Sequence, residues 1–325
     1  MKQSNFLNNF INALYQKIKR RSDLVLFISE TLNIERDAAS RRLNKKVYFN
    51  VEEIGTLSLK LGISLDSLLN NTNYHFHSPP FSIHFPMEAQ SMNQLANKIE
   101  SDLQILGNVC AEQAECGFIF TFPPIEFLIP YKHLLKFAYF KWGYYYVGAS
   151  DFNNYATWET PESLLMLNDK IMEVYNRWEK VLYIWDISAI WSLVKDIMYF
   201  NSLDSLNHND TKVLKVELHD MLYQLETKMS GASPYPIHSR EIDTYVSGVH
   251  IGANFSYYIS ENSSYNTFHT YFAGTNYNDD HQTSIQLKEW MNSMKKVCSL
   301  ISGSGARERK LFFDEQHKIV DAIGI

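Results

Sequence analysis

A rhythm of short amphipathic segments and helix terminators over the first seventy residues constrains this chain more than any other feature. Phe6, Phe10, Ile11, Leu14 and Ile18 recur at helical spacing and predict a helix over residues 5–19. Arg20 and Arg21 close it with the positive charge that a helix C-terminus favours. Ser22 is a suitable N-cap for a second helix over 23–32. Asn33 tolerates the left-handed backbone that a tight helix–helix turn needs. A third helix follows over 35–44. Asn50 and Glu53 form a capping box for a fourth, with Ile54, Leu57, Leu59 and Leu61 as its apolar positions. Gly62 ends it, and Ser64 caps a fifth carrying Leu65, Leu68 and Leu69.

The third helix can be tested by angle. At about 100° per residue, Arg36, Ser40, Asn44, Asp37 and Arg41 fall within one arc of about 140°. Ala38, Ala39 and Leu43 lie outside it and face the domain core. The paired alanines let this helix pack close to the second. A polar arc opposite a core face suits a helix that enters the major groove, and equally a solvated surface helix.

The flanking text separates these readings. LNIERDAASRRLNKK (residues 32–46) and LSLKLGISLDSLL (57–69) resemble the turn, recognition helix and closing helix pair of the Cro/phage-repressor (XRE-type) helix-turn-helix family. Asn33 stands where many members have glycine, and Ala39 where they have a bulkier apolar residue. The resemblance implies that Arg36, Asp37, Ser40, Arg41 and Asn44 contact bases in double-stranded DNA. It implies that Lys19, Arg20, Arg21, Arg42, Lys45, Lys46 and Tyr48 hold phosphates. Asp37 has a second option, which is to lock a neighbouring arginine.

Charge agrees with this division. Residues 1–70 carry 11 Lys/Arg against 7 Asp/Glu, and the remainder 19 against 29. A basic head on an acidic body fits DNA contact confined to one end. The length predicts two domains: a helix-turn-helix domain over 1–70, a polar, proline-marked connector over 71–87, and a C-terminal domain over 88–325. Cys110, Cys116 and Cys298 form no CxxC pair, which predicts a reduced, cytoplasmic chain. Residues 1–21 lack the apolar run and cleavage site of a secretory leader. The greasy stretch 117–147 contains Glu126, lysines and prolines, so it reads as core and not as a membrane span.

The body reads as mostly helical with a small antiparallel sheet or hairpin, making the chain mainly α and α+β overall. Within the connector, Tyr74, Phe76, Phe81, Ile83 and Phe85 suggest two short strands, with His75, His77 and His84 as exposed connector residues. Met92, Leu95, Ile99, Leu103 and Leu106 form a stripe on a helix over 88–107, suited to packing within its own domain or to a dimer seam. Residues 124–231 read as helices dense in aromatic residues, one capped by Ser188 and a long one ended by Gly231. Such aromatic density is core packing, or a cage for a small molecule. Residues 243–278 read as strands, then 284–302 and 306–323 as helices. Gly303-Ser304-Gly305 between them, with Arg307 and Arg309, reads as a helix–helix joint and not as a phosphate cradle, because no strand is expected before it. The order of the body, ending in ISGSGARER and a Phe-Phe pair, is similar to large bacterial regulators, a resemblance that supplies no mechanism.

No GxSxG, HExxH, Walker A or strand-following GxGxxG motif is present, so neither an enzyme nor a bound cofactor or metal is expected. Glu217, His219 and Asp220 on one helix are the nearest approach to an acid–base cluster. The expectation is a DNA-binding transcriptional regulator acting as a homodimer, its body dimerising or sensing a small-molecule or protein effector. The alternatives are an adaptor that uses the helical head for protein contact, and an enzyme targeted by that head.

Overall fold

The computed structural model describes residues 6–63, 65, 68, 91–109, 114–231, 241–270 and 274–324. The chain divides into two compact units, Met1–Pro79 and Pro80–Ile325, a division that falls inside the expected connector. The connector's strands and histidines, together with Ser64, Leu69 and Cys110, lie outside the described residues.

The first unit is helical. Helices α1 (Phe6–Lys17), α2 (Arg21–Leu32), α3 (Arg36–Leu43) and α4 (Val51–Leu61) precede a helical stretch containing Leu65 and Leu68. Phe10, Leu14, Leu24, Ile28, Ala39 and Leu57 are fully buried and form its core. Phe49 meets Phe10 edge-on, with ring centroids 5.5 Å apart. Asn33 adopts the left-handed conformation (φ 50°, ψ 51°), as its position required. The Asn50–Glu53 capping box forms, and Gly62 closes α4 in the left-handed region. Two expectations fail. Ser22 is not a cap: α2 begins at Arg21, two residues before its expected start, behind an extended Arg20, and the Ser22 hydroxyl bonds Asp23. Leu59 is 87 % exposed, because two residues beyond the buried Leu57 a side chain has turned about 200° around the helix.

The second unit is a layered α/β body. Its elements run α5 (Met92–Val109), β1 (Ala114–Phe120), α6 (Ile125–Leu128), α7 (Lys132–Tyr146), α8 (Glu162–Tyr175), β2 (Trp178–Asp186), α9 (Ala189–Ser202), α10 (His208–Met229), β3 (Glu241–Ser247), β4 (Asn254–Ile259), β5 (Ser264–Thr270), β6 (Gly274–Asn278), α11 (His281–Met294), β7 (Cys298–Leu300) and α12 (Ala306–Asp321). The strands form one seven-stranded sheet in the order β6-β5-β4-β1-β2-β3-β7. β1, β2 and β3 are mutually parallel, and every other pairing is antiparallel.

This mixed sheet corrects the expected small hairpin. β2 (WEKVLYIWD) falls in the stretch read as helical, and β1 in the stretch read only as core. Both lack the polar–apolar alternation of a half-exposed strand because the sheet is covered on both faces. Phe118, Phe120, Tyr183 and Trp185 point into the large core built with α5–α10 and α12. Ile119, Leu182 and Ile184 point into a smaller core with Met291 of α11. The α5 stripe packs within this unit: Met92 is buried and Leu95, Ile99, Leu103 and Leu106 lie against the large core.

The glycine-rich turn is also corrected. The expected helix over 284–302 ends at Met294, and Cys298–Leu300 form an edge strand on β3, so the turn joins a strand to α12. It is held from within. Arg309 is buried, and its Nη1 donates to Ile301 O (2.9 Å) and Gly303 O (3.1 Å). A Cβ on Gly305 would sit 2.1 Å from Leu300 O, so only glycine lets the chain turn back this tightly. Ser188 does not cap α9 with its side chain; its hydroxyl donates to Asp186. The Glu217–His219–Asp220 cluster is dispersed as well. Glu217 Oε2 accepts the amides of His133 (2.9 Å) and Leu134 (2.8 Å) at the start of α7. His219 instead stacks on His317 of α12, with Nδ1 atoms 2.7 Å apart.

Candidate nucleic-acid interface

The first unit presents α3 across a tight turn from α2. Ser29 fixes that turn: its hydroxyl donates to Ile34 O at 2.6 Å, and its carbonyl accepts the Ile34 amide. Ala39 and Leu43 are buried against the unit's core, while Ala38 is half-buried. Arg36, Asp37, Arg41 and Asn44 are exposed, and Ser40 is half-buried. The polar arc derived from helical spacing is therefore a real surface of the folded unit.

The charged side chains around that arc fall into different groups. Arg36 lies at the first helical position and is exposed. Asp37 pairs with Arg41 at 2.6 Å, both well exposed, which is the locking option named for it. An exposed pair of this kind adds little stability and opens readily to a better partner. Lys19 and Arg20 are exposed between α1 and α2. Lys45 takes a left-handed backbone (φ 59°) just past α3, and its ammonium bonds Asn8 Oδ1. Lys46 and Tyr48 are exposed beyond it.

Two expected phosphate contacts have other partners. The Arg42 guanidinium forks onto Glu53, with Nε–Oε2 3.0 Å and Nη2–Oε1 2.7 Å, while its Nη1 donates to Ala38 O. The two side chains are 17 % and 13 % exposed. Their hydrogen bond holds the arginine above its ordinary pKa and the carboxyl below the usual carboxylate range. Arg42 thus ties α3 to the start of α4, where Glu53 also accepts the Asn50 amide. Arg21 turns inward onto α3: Nη2 donates to Asn44 Oδ1 at 2.7 Å and reaches Ser40 Oγ at 3.5 Å, while Nη1 donates to the Tyr15 hydroxyl at 3.2 Å. Sequence reasoning missed both. The capping box had already singled out Glu53, but nothing in the local pattern linked it to an arginine eleven residues away.

The Arg42–Glu53 pair yields a directional prediction. Glu53→Ala lowers the stability of the first unit by about 2–4 kcal/mol, since it strands a mostly buried cation and removes half of a capping box. Arg42→Leu/Glu53→Gln, which leaves no buried charge, is expected to recover at least half of that loss. Hydrogen exchange of amides in residues 6–63 against denaturant reads this unit separately from the body.

Among the described residues, no cluster of His, Cys, Asp and Glu could hold a metal ion, and no helix is long and apolar enough to cross a membrane. The body carries a cavity of about 150 Å³ lined by Glu115, Lys180, Glu241, Asp243, Asn292 and Lys295 among others. Ligand pockets are usually about 300–1,000 Å³. No protein-family profile, curated protein or solved structure matches this chain.

Proposed function

We propose that this chain is a sequence-specific DNA-binding transcriptional regulator whose α3 enters the major groove. One observation carries the reading: α3 buries its small face under a tight, left-handed-asparagine turn and leaves Arg36, Asp37, Ser40, Arg41 and Asn44 together on the outside. Arginines on such a face suit guanine edges, which offer two acceptors each. Lys19, Arg20, Lys45, Lys46 and Tyr48 flank the helix and are placed in the proposal as phosphate contacts, which fix register without reading sequence. Arg42 is withdrawn from that set because Glu53 occupies it. Asp37 acts by holding Arg41 until a base replaces it.

One small helical head makes few contacts, so the proposal includes a homodimer on a two-fold site, with the α/β body supplying dimerisation or effector sensing. The acidic body keeps non-specific contact with phosphates confined to the head.

The test is fluorescence anisotropy on sequences selected from a random duplex pool, across a salt series, beside Arg36→Ala/Arg41→Ala. Affinity of the wild type is expected to fall steeply with salt. The double variant is expected to lose at least about thirtyfold in specific affinity, at about 1–3 kcal/mol per arginine contact. A wild-type chain that enriches no sequence at low salt would sink the DNA reading and favour the adaptor.

A further inference from the structure

The Arg21 contacts reach beyond the question of whether α3 reads DNA. We infer that Arg21 is a positioning residue that locks the Asn44 amide in one orientation, so that Asn44 selects a base edge rich in acceptors, guanine first, and not adenine. This rests on the DNA-reading proposal above.

Arg21 is the first residue of α2 and Asn44 the residue that closes α3. Arg21 Nη2 lies 2.7 Å from Asn44 Oδ1. A guanidinium has donors only, so the atom it touches must be the amide oxygen. The amide nitrogen, with its two N–H groups, is then left on the other side, facing away from the arginine. The fork is anchored elsewhere: Nη1 donates to Tyr15 of α1 at 3.2 Å, and Nη2 also reaches Ser40 Oγ. α1 and the end of α3 thus hold one side chain of α2, which a free phosphate clamp would not require.

The chemical consequence follows from the groove. Asparagine reads adenine with both ends of its amide, accepting from N6 and donating to N7. The oxygen keeps a second lone pair, but Arg21 holds it turned toward α2, so the side of the amide left open carries its N–H donors. Guanine presents O6 and N7, both acceptors, and thymine presents O4. The brace therefore turns an adenine reader into one that presents its donors.

Arg21→Lys separates a brace from a phosphate clamp. Lysine keeps the charge but has no planar fork to join Asn44 and Tyr15. Both residues are exposed, so the substitutions should leave the fold intact, which circular dichroism verifies. The wild type, Arg21→Lys, Asn44→Ala and the double variant are each used to select binding sites from a random duplex pool. The wild type is expected to enrich guanine, or thymine, at the base pair whose preference Asn44→Ala relaxes. Arg21→Lys should weaken that preference about tenfold, at the same base pair alone, with the salt slope unchanged. The double variant should be no less selective than Asn44→Ala.

Three results would overturn it: adenine enriched at the Asn44 position, Arg21→Lys leaving that position untouched, or relaxation of a different one. A control with Arg21→Met adds the opposite arm, since loss of about 0.9 in salt slope with base preference intact identifies a phosphate clamp. A wild-type pool with no enrichment at all is a different failure, that of the DNA reading itself, and removes the brace's function with it.

Discussion

Asp186→Ala is expected to lower the unfolding temperature of the second unit by about 10 °C. Asp186 ends the central parallel strand β2 and is fully buried. Its Oδ1 accepts the Ser188 amide at 2.8 Å and the Ser188 hydroxyl at 2.5 Å. Its Oδ2 accepts the Ile251 amide at 2.5 Å and lies 3.3 Å from Nδ1 of the exposed His250. One carboxylate therefore ties the start of α9 and the β3–β4 loop to the end of β2. Removing it orphans those donors, at about 1–3 kcal/mol for each group left buried and unpaired. A total of about 3–5 kcal/mol converts to roughly 2–4 °C per kcal/mol in a unit of this size. Asp186→Asn should recover only part of the loss, because its NH₂ group cannot accept and one of the two tied segments must come free. His250→Ala, which removes only the exposed member, should change the unfolding temperature by less than about 2 °C. Differential scanning calorimetry at fixed pH makes the comparison. Equal losses for Asp186→Asn and His250→Ala would show that the ion pair, and not the backbone ties, is what matters.

The second large effect is a dependence on pH set by Glu126. It sits on the one-turn helix α6, half-buried as a residue, with Oε1 enclosed and without a hydrogen-bond partner among the described residues. The Tyr183 hydroxyl and the rings of Phe120 and Phe127 crowd this end of the core. Burial pushes the Glu126 pKa up to about 7 from an ordinary 4.5. A raised carboxyl pKa means that the folded state keeps its proton while the unfolded state releases it. Stability is full below pH 4.5, falls as pH rises from there to about 7, and is level above. The amplitude is about 3 kcal/mol, at 1.36 kcal/mol per pKa unit. Glu126→Gln holds the neutral form permanently and should raise the unfolding temperature at pH 8 by roughly 6–12 °C, with little change at pH 5.

His317 acts in the opposite direction. Its burial, then its stacking neighbour His219, lower its pKa below 6.5. Its contribution is present above 6.5 and lost as pH falls through the depressed value, when α10 and α12 begin to repel across the stacked rings. A wild-type profile that keeps its decline between pH 5 and 7 in Glu126→Gln would assign that decline to another group.

The helices of the first unit were legible because their signals are local. Capping pairs lie three residues apart, core positions repeat every three or four, and Asn33 and Gly62 mark the two left-handed turns. The second unit was harder for a physical reason. β1 and β2 are buried on both faces, so their sequences carry no alternation, and their register links residues as distant as Ala114 and Trp178. A continuous apolar run is compatible with a buried helix or a buried strand, and only the neighbouring strand decides. β7 is three residues long and exists because β3 offers a free edge. The turn after it lost its strand in the sequence reading, and with it the role of Arg309 as an internal support.

The interface shows the same division. Helical spacing alone placed Arg36, Asp37, Ser40, Arg41 and Asn44 on one arc, since that follows from the geometry of a single helix. The jobs of the surrounding cations did not follow. Arg20, Arg21 and Arg42 are the same residue type in the same basic head, yet Arg42 is held by Glu53 and Arg21 by Asn44, twenty-three residues along the chain. A guanidinium bonds whatever acceptor folding brings within about 3 Å. The sequence by itself determined the order of the first four helices of the head, the left-handed residues that close α2 and α4, and which face of α3 is polar, because those are properties of one turn of chain. The tertiary structure alone decided which cations stay free for a ligand and which strands form the sheet, because both depend on partners that only packing brings together.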